Sequence, residues 1–170
     1  NNITPGTSGH SCTRGIYVNG NLEIRQNASG TAGSLNVTVS GSGDVYGIRT
    51  DGKLKLNISG GEVNVTVNDN SQAFGIYADP SSSTSEFYNI IHITNSTVAV
   101  KANAPAAVGI SIVDLGQINI GIGGIVTVEA IGSDAKGISA VDGNIANNAG
   151  DANNSITITS SDFIINNKNI

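Results

Sequence analysis

Hydrophobic and polar residues alternate along most of this chain. The clearest stretch reads Leu54-Lys-Leu-Asn-Ile58 and, after the turn Ser59-Gly-Gly61, Val63-Asn-Val-Thr-Val67. Alternation with a period of two places apolar side chains on one face of a β-strand, whereas a helix needs apolar residues three and four positions apart. Because no segment shows the helical spacing, the pattern predicts an all-β protein built from short strands.

The dipeptide Gly-Ile marks an internal repeat. Five copies with similar spacing begin at residues 15, 47, 75, 109 and 137, at intervals of 32, 28, 34 and 28 residues. Each copy is followed by a second alternating segment, a turn and a third alternating segment. The repeat predicts a single domain over 1–170, with units near 15–46, 47–74, 75–108, 109–136 and 137–170.

Three short strands per unit, joined by turns too short for helical crossovers, predict a right-handed parallel β-helix of about five turns. A β-sandwich or an up-and-down barrel is the structural alternative, but neither fold explains the Gly-Ile repeat. In the fifth unit, segments 156–158 and 163–165 are the predicted second and third strands. The predicted inward columns are Ile16/Ile48/Ile76/Ile110/Ile138 on the first sheet, and Val37/Val65/Val98/Val126 and Val39/Val67/Val100/Val128 on the third.

Composition restricts the class of partner. Gly and Asn each number 22, hydrophobic residues make up 38%, and 8 Lys+Arg against 13 Asp+Glu give a net charge of −5. The absence of basic runs argues against nucleic acid as a partner, and no apolar stretch reaches the roughly 18 residues of a membrane span. Cys12 is the only cysteine, so no intrachain disulfide is possible. The absence of Met predicts a segment of a longer processed protein, with neighbouring solenoid turns or domains as partners.

An acidic column follows the Gly-Ile strand in successive units. The simplest interpretation is turn formation, because Asn-Gly and Asp-Gly adopt tight turns. Carboxylates stacked about 4.8 Å apart also repel one another unless a cation lies between them, and oxygen ligands of this kind suit Ca²⁺. The candidate Ca²⁺ ligands are Asp51, Asp79, Asp114 and Asp142, and Asn19 occupies the equivalent position in the first unit.

A second candidate site follows the inward isoleucines. The next residue in the first three units is Tyr17, Arg49 or Tyr77, which is expected to point outward. We expect the repeated glycines to leave a shallow track on the same face, where a sugar chain could contact the two tyrosine rings while Arg49 donates hydrogen bonds. The alternative is that the glycines meet a backbone requirement and the tyrosines are ordinary exposed strand residues.

The run from Gly47 to Val67 resembles the repeats of bacterial secreted carbohydrate-binding β-helix proteins, the non-catalytic relatives of pectate lyase. The resemblance extends from about Gly15 onward. It implies an extracellular β-helix, Ca²⁺ held by aspartates, and an acidic plant polysaccharide as ligand. The aspartates that match pairwise are Asp51 with Asp79 and Asp114 with Asp142, although Pro80 stands where Gly is expected after Asp79.

These observations predict a non-catalytic, secreted or bacterial cell-surface module that binds polysaccharide or a host or cell-surface glycan. A structural stalk or adhesin segment is the alternative. A polysaccharide lyase is a distant third possibility. It would need a basic residue to abstract a proton, and Arg49 beside Asp51 and Asp79 is the only candidate in the sequence.

Overall fold

The computed structural model describes residues 2–3, 12–25, 33–52, 54–79, 88–112, 116–120, 124–140, 144–147 and 155–160. Within these ranges the regular secondary structure is β-strand, and no helix occurs. The prediction of an all-β protein is therefore confirmed.

The strands in the described ranges are short except for two. In chain order they are β1 (Asn2–Ile3), β2 (Cys12–Val18), β3 (Leu22–Arg25), β4 (Ser34–Ser40), β5 (Asp44–Thr50), β6 (Leu54–Asn68), β7 (Gln72–Ala78), β8 (Tyr88–Asn103), β9 (Ala106–Ile112), β10 (Gly116–Ile120), β11 (Ile125–Ile131), β12 (Lys136–Ala140), β13 (Asn144–Asn147) and β14 (Ser155–Ser160).

One sheet has five parallel strands in the order β12-β9-β7-β5-β2. Each strand carries one Gly-Ile copy and pairs with the equivalent strand of the neighbouring repeat. The first predicted inward column is confirmed, because its five isoleucines align in register. Ile48, Ile76 and Ile110 are fully buried, whereas Ile16 on the edge strand β2 is only partly buried.

The other sheet has nine strands, also paired in parallel, which fall into two rows. One row runs through β3, the first part of β6, the first part of β8, β10 and β13. The other runs through β4, which also pairs with β1, then the second parts of β6 and β8, β11 and β14. A register shift between Asn57 and Gly61 marks the change of row within β6. The described chain visits the three rows in the same order in successive repeats.

The observed register corrects the predicted valine columns. Val65 pairs with Val100 rather than with Val98, because the strand in the third repeat continues past Val100 to Asn103. A shift of two residues leaves the same side chains facing inward, so alternation alone does not detect it. The observed columns are Leu35/Val63/Val98/Val126, Val37/Val65/Val100/Val128 and Val39/Val67/Ala102/Ala130.

The fifth repeat also differs from its predicted assignment. β13 pairs with β10 and occupies the second row, whereas β14, which contains the segment 156–158, pairs with β11 in the third row. The segment 156–158 is therefore the third strand of this repeat and not the second. Residues 163–165 lie outside the described residues.

The repeated glycines face the core rather than the surface. A Cβ atom added to Gly47 would lie 2.2 Å from Cγ1 of Val65 and 2.6 Å from the carbonyl oxygen of Gly75. Gly75 and Gly109 have equivalent neighbours in the next repeats. The expectation of a glycine track on the exposed face is therefore wrong. Because Gly47 and the adjacent Ile48 both face inward, the alternation of the strand is interrupted at each Gly-Ile pair.

Candidate functional site

The outer face of the five-stranded sheet carries an aromatic and arginine cluster. Two columns of side chains form it, one from the residue before each Gly-Ile pair and one from the residue after it. We call this cluster the Tyr/Arg face. Its members are Arg14, Tyr46 and Phe74 in the first column and Tyr17, Arg49 and Tyr77 in the second, paired in register across β2, β5 and β7.

Three rings form the inner part of the Tyr/Arg face. Tyr46 and Phe74 are stacked, with ring centres 4.8 Å apart and planes only 7° from parallel. The Tyr77 ring meets both of them edge-on, each at 5.2 Å and 71°. Tyr46 is consequently 6% exposed although it lies on the outer side of the sheet. Its role is packing, because the stacked Phe74 covers one face of its ring.

Arg49 connects these rings to Asp51 in the turn after β5, which we call the acidic turn. Its guanidinium carbon lies 5.0 Å from the ring centre of Tyr46 and 5.3 Å from that of Tyr77. Its Nε donates a hydrogen bond of 3.2 Å to Oδ1 of Asp51. Burial by itself lowers the pKa of Arg49, but the hydrogen bond to Asp51 and the nearby Tyr46, Asp51 and Tyr77 outweigh it and raise that pKa above its ordinary value. Arg49 therefore stays protonated, and its contacts hold its guanidinium in place.

Tyr17 is the exposed member of the cluster, with 44% of its surface accessible. The guanidinium carbon of Arg14 lies 4.7 Å from the centre of its ring, and its hydroxyl donates a hydrogen bond of 2.6 Å to Oδ2 of Asp51. That hydrogen bond is the main cause of a raised Tyr17 pKa and of a lowered Asp51 pKa. The exposed ring is thus held by Arg14 on one face and by Asp51 at its hydroxyl.

Tyr77 and Asp79 form a second pair one repeat further on. Burial, followed by the charge of Asp79, raises the pKa of Tyr77 to about 12, and a hydrogen bond between the two side chains adds to the shift. The backbone N–H of Asp79 donates to the carbonyl oxygen of Thr50 at 2.9 Å, as the N–H of Asp51 does to Val18 at 3.0 Å. The two aspartates are therefore equivalent in the stack.

The turn after β2 contains the predicted Asn19-Gly20 pair, whereas Gly52, the equivalent residue after β5, does not adopt a positive φ. Gly20 has a φ of +125°, which side-chain-bearing residues rarely adopt. The hydroxyl of Thr50, which is fully buried, donates to the carbonyl oxygen of Gly20 and accepts from the N–H of Gly52 at 3.2 Å. These contacts stack one turn on the next and fix the position of Asp51.

The structure brings Tyr17, Arg49 and Tyr77 together, with Asp51 and Asp79 beside them. The other two candidate Ca²⁺ ligands, Asp114 and Asp142, lie outside the described residues. Among the residues that are described, no three acidic, His or Cys side chains group closely enough to hold a metal ion. Both carboxylate oxygens of Asp51 already accept hydrogen bonds from Tyr17 and Arg49, so a cation there would compete with these contacts.

Arg14, Tyr46 and Phe74 were not among the predicted site residues. Each stands directly before a Gly-Ile pair, which is the signal that would have identified them. Strict alternation puts the residue before Gly on the side opposite the glycine. Once the glycine is assigned to the core, its predecessor must face outward.

The described part of the chain has no helix that could serve as a membrane span. Comparison of the sequence and structure with protein-family models, with curated proteins and with solved structures finds no match in any of the three.

Proposed function

We propose that this chain is a right-handed parallel β-helix that acts as a non-catalytic, secreted or cell-surface module and binds polysaccharide at the Tyr/Arg face. The β-helix part of the proposal is supported by the three rows of parallel strands, visited in the same order in successive repeats. Such a coil gives neighbouring repeats a common flat side on which an extended ligand can lie.

The observation that carries the binding proposal is the exposed and fixed ring of Tyr17. Arg14 covers the ring on one side, and Asp51 holds its hydroxyl. A sugar ring presents C–H groups that pack on an aromatic face and hydroxyls that bond to neighbouring charged groups. Because Tyr17 is held in place without ligand, binding requires little further ordering of that side chain.

The size of the Tyr/Arg face limits the length of glycan it contacts. Its six side chains occupy three adjacent strands, which span about 10 Å across the sheet. In the next two strands the column after Gly-Ile continues as Ser111 and Ser139. We therefore expect recognition of a short internal stretch of a longer polysaccharide.

Affinity gel electrophoresis tests this proposal. The native protein is run through gels containing a panel of soluble polysaccharides, and retardation by at least one of them is expected. Tyr17→Ala should remove the retardation. Ile125→Ala is the matched control, because Ile125 is 39% exposed but lies on β11 of the other sheet. Equal retardation of Tyr17→Ala and the native protein would exclude the Tyr/Arg face as the site.

A structural stalk or adhesin segment is the second candidate, and cross-strand contacts on the other sheet favour it. The side-chain amide of Asn64 donates to Asn36 at 3.0 Å, and Lys101 pairs with Glu129 at 2.9 Å. These contacts join successive repeats and stabilise the stack without requiring a ligand. A glycan array on which the native protein binds nothing would favour this candidate over the binding module.

Calcium assistance is a separate part of the proposal. Ca²⁺ at the acidic turn would have to share Asp51 with Tyr17 and Arg49. A thermal-shift titration with Ca²⁺ and with EDTA measures the effect of Ca²⁺ on the melting temperature, and that effect should disappear in Asp51→Asn.

A lyase is the weakest candidate. A general base must first lose its proton, and the raised pKa of Arg49 opposes that loss. Release of unsaturated uronate from pectin would reverse that ranking.

A further inference from the structure

We infer that the polysaccharide bound at the Tyr/Arg face is a neutral one, recognised through its hydroxyl groups, rather than a uronate-rich acidic one. This inference rests on the proposed binding function and specifies its substrate class. It follows from the way the charges of the face are already paired.

The cation at the centre of the face is not available to an anion. Arg49 contacts Asp51 through Nε, and its guanidinium lies against the rings of Tyr46 and Tyr77. The side chains of Arg49 and Asp51 are each only 21% exposed. A ligand carboxylate that approached Arg49 would therefore meet the carboxylate of Asp51 at the same position, and the two negative charges would repel.

The charges around Arg49 also disfavour a negatively charged ligand. In the three strands that form the face and the residues directly after them, the described side chains include two positive ones, Arg14 and Arg49, and three negative ones, Asp44, Asp51 and Asp79, for a net charge of −1. Lys136 lies two strands beyond Phe74 in the same column. A uronate chain, which carries a carboxylate on each sugar, gains little from this arrangement.

A neutral sugar fits the same groups. Its hydroxyls are donors, and a carboxylate has about four acceptor sites, so Asp51 can accept a charge-assisted hydrogen bond from a sugar hydroxyl in addition to those from Tyr17 and Arg49. Asp79 can accept from a sugar hydroxyl in the same way. The exposed ring of Tyr17 supplies an apolar surface directly beside Asp51. The lowered pKa of Asp51 keeps it ionised, and therefore an acceptor, at neutral pH.

The test compares two classes of soluble polysaccharide in affinity gels: neutral β-glucan and galactomannan, and polygalacturonate. We expect the native protein to be retarded by at least one neutral polymer and not by polygalacturonate, with little dependence on salt concentration. Stronger retardation by polygalacturonate that weakens with added salt would overturn the inference and leave the binding function intact. Retardation by no polymer would overturn the proposed function itself, and the inference with it.

Two variants sharpen the comparison. Asp51→Asn removes the negative charge that pairs with Arg49, so it should weaken neutral-polymer binding about fivefold to tenfold and create salt-sensitive binding to polygalacturonate. Tyr17→Phe keeps the ring and should retain neutral-polymer binding better than Tyr17→Ala does. If Asp51→Asn binds both polymers as the native protein does, the charge argument is wrong. Melting curves for both variants verify that they are folded.

Discussion

The hydroxyl of Tyr17 donates a hydrogen bond of 2.6 Å to Oδ2 of Asp51, a residue 34 positions later in the chain. The contact crosses from one repeat to the next and lies on the exposed side of the sheet. It connects the ring proposed to contact sugar with Asp51, which is also a predicted Ca²⁺ ligand. The candidate site is therefore a product of stacking and not of any linear motif.

The first prediction concerns the titration of Tyr17. Asp51→Asn replaces a charged acceptor by a neutral one, so the pKa of Tyr17 should fall toward its ordinary value of about 10. NMR of isotope-labelled tyrosine rings resolves Tyr17 from the other tyrosines. Tyr46, whose pKa is raised mainly by its own burial, serves as the internal control and should move little. An unchanged Tyr17 titration would contradict the hydrogen bond.

The second prediction concerns alkaline stability. The folded-state pKa of Tyr77 is about 12, above the unfolded value of about 10, so its stabilising contribution is complete below pH 10 and is lost as the pH rises toward 12. Tyr77→Phe removes this ionisation. We expect the melting temperature of the variant to fall less steeply above pH 10 than that of the native protein. Parallel curves for the two proteins would contradict the prediction.

The third prediction tests the inward glycines. Gly47→Ala forces a methyl group against Val65 and the backbone of Gly75, which should destabilise the fold by about 3 kcal/mol and lower Tm by roughly 6–12 °C. Gly33→Ala is the matched control, since a Cβ atom there meets no atom within 4 Å. Its stability should stay within about 0.5 kcal/mol of the native protein. Equal effects of the two substitutions would show that Gly47 does not face the core.

The fourth prediction tests the isoleucine column. Ile76→Ala leaves a cavity at a fully buried position between Ile48 and Ile110 and should cost about 2–5 kcal/mol, measured by urea unfolding. The same change at the exposed Ile125 should cost less than about 1 kcal/mol. A small effect at Ile76 would mean that the repeats do not stack through this column.

The sequence predicted the strand class and the isoleucine column because period-two alternation and the Gly-Ile spacing both report directly on inward positions. It mispaired Val65 with Val98, because a shift of two residues preserves the inward face and only the observed pairing distinguishes the two registers. It also put the glycines outside, because alternation was assumed to continue through Gly47 and Ile48, which are in fact both inward.

Alternation also predicted part of the candidate site, because it places the residue after each inward isoleucine on the outer face. Tyr17, Arg49 and Tyr77 follow the inward isoleucines and were correctly expected to share a face. The contact between Arg49 and Asp51 could not be predicted from alternation. Residues two positions apart point to the same side of a strand, but this rule holds only where the strand includes both of them. Here the chain leaves the strand at Thr50, and the turn returns Asp51 to the guanidinium.

Because each Gly-Ile pair faces inward, the core contacts and the surface contacts of a strand are made by different residues. Gly and the Ile after it face the core, while the residues on either side of them vary between repeats: Val108 and Ser111 stand in β9 where Tyr46 and Arg49 stand in β5. Such a surface can diverge or be redesigned row by row. Because Val108 and Ser111 are only 9% and 6% exposed, aromatic residues introduced there would have to displace the atoms that now cover these positions before they could lengthen the recognition surface.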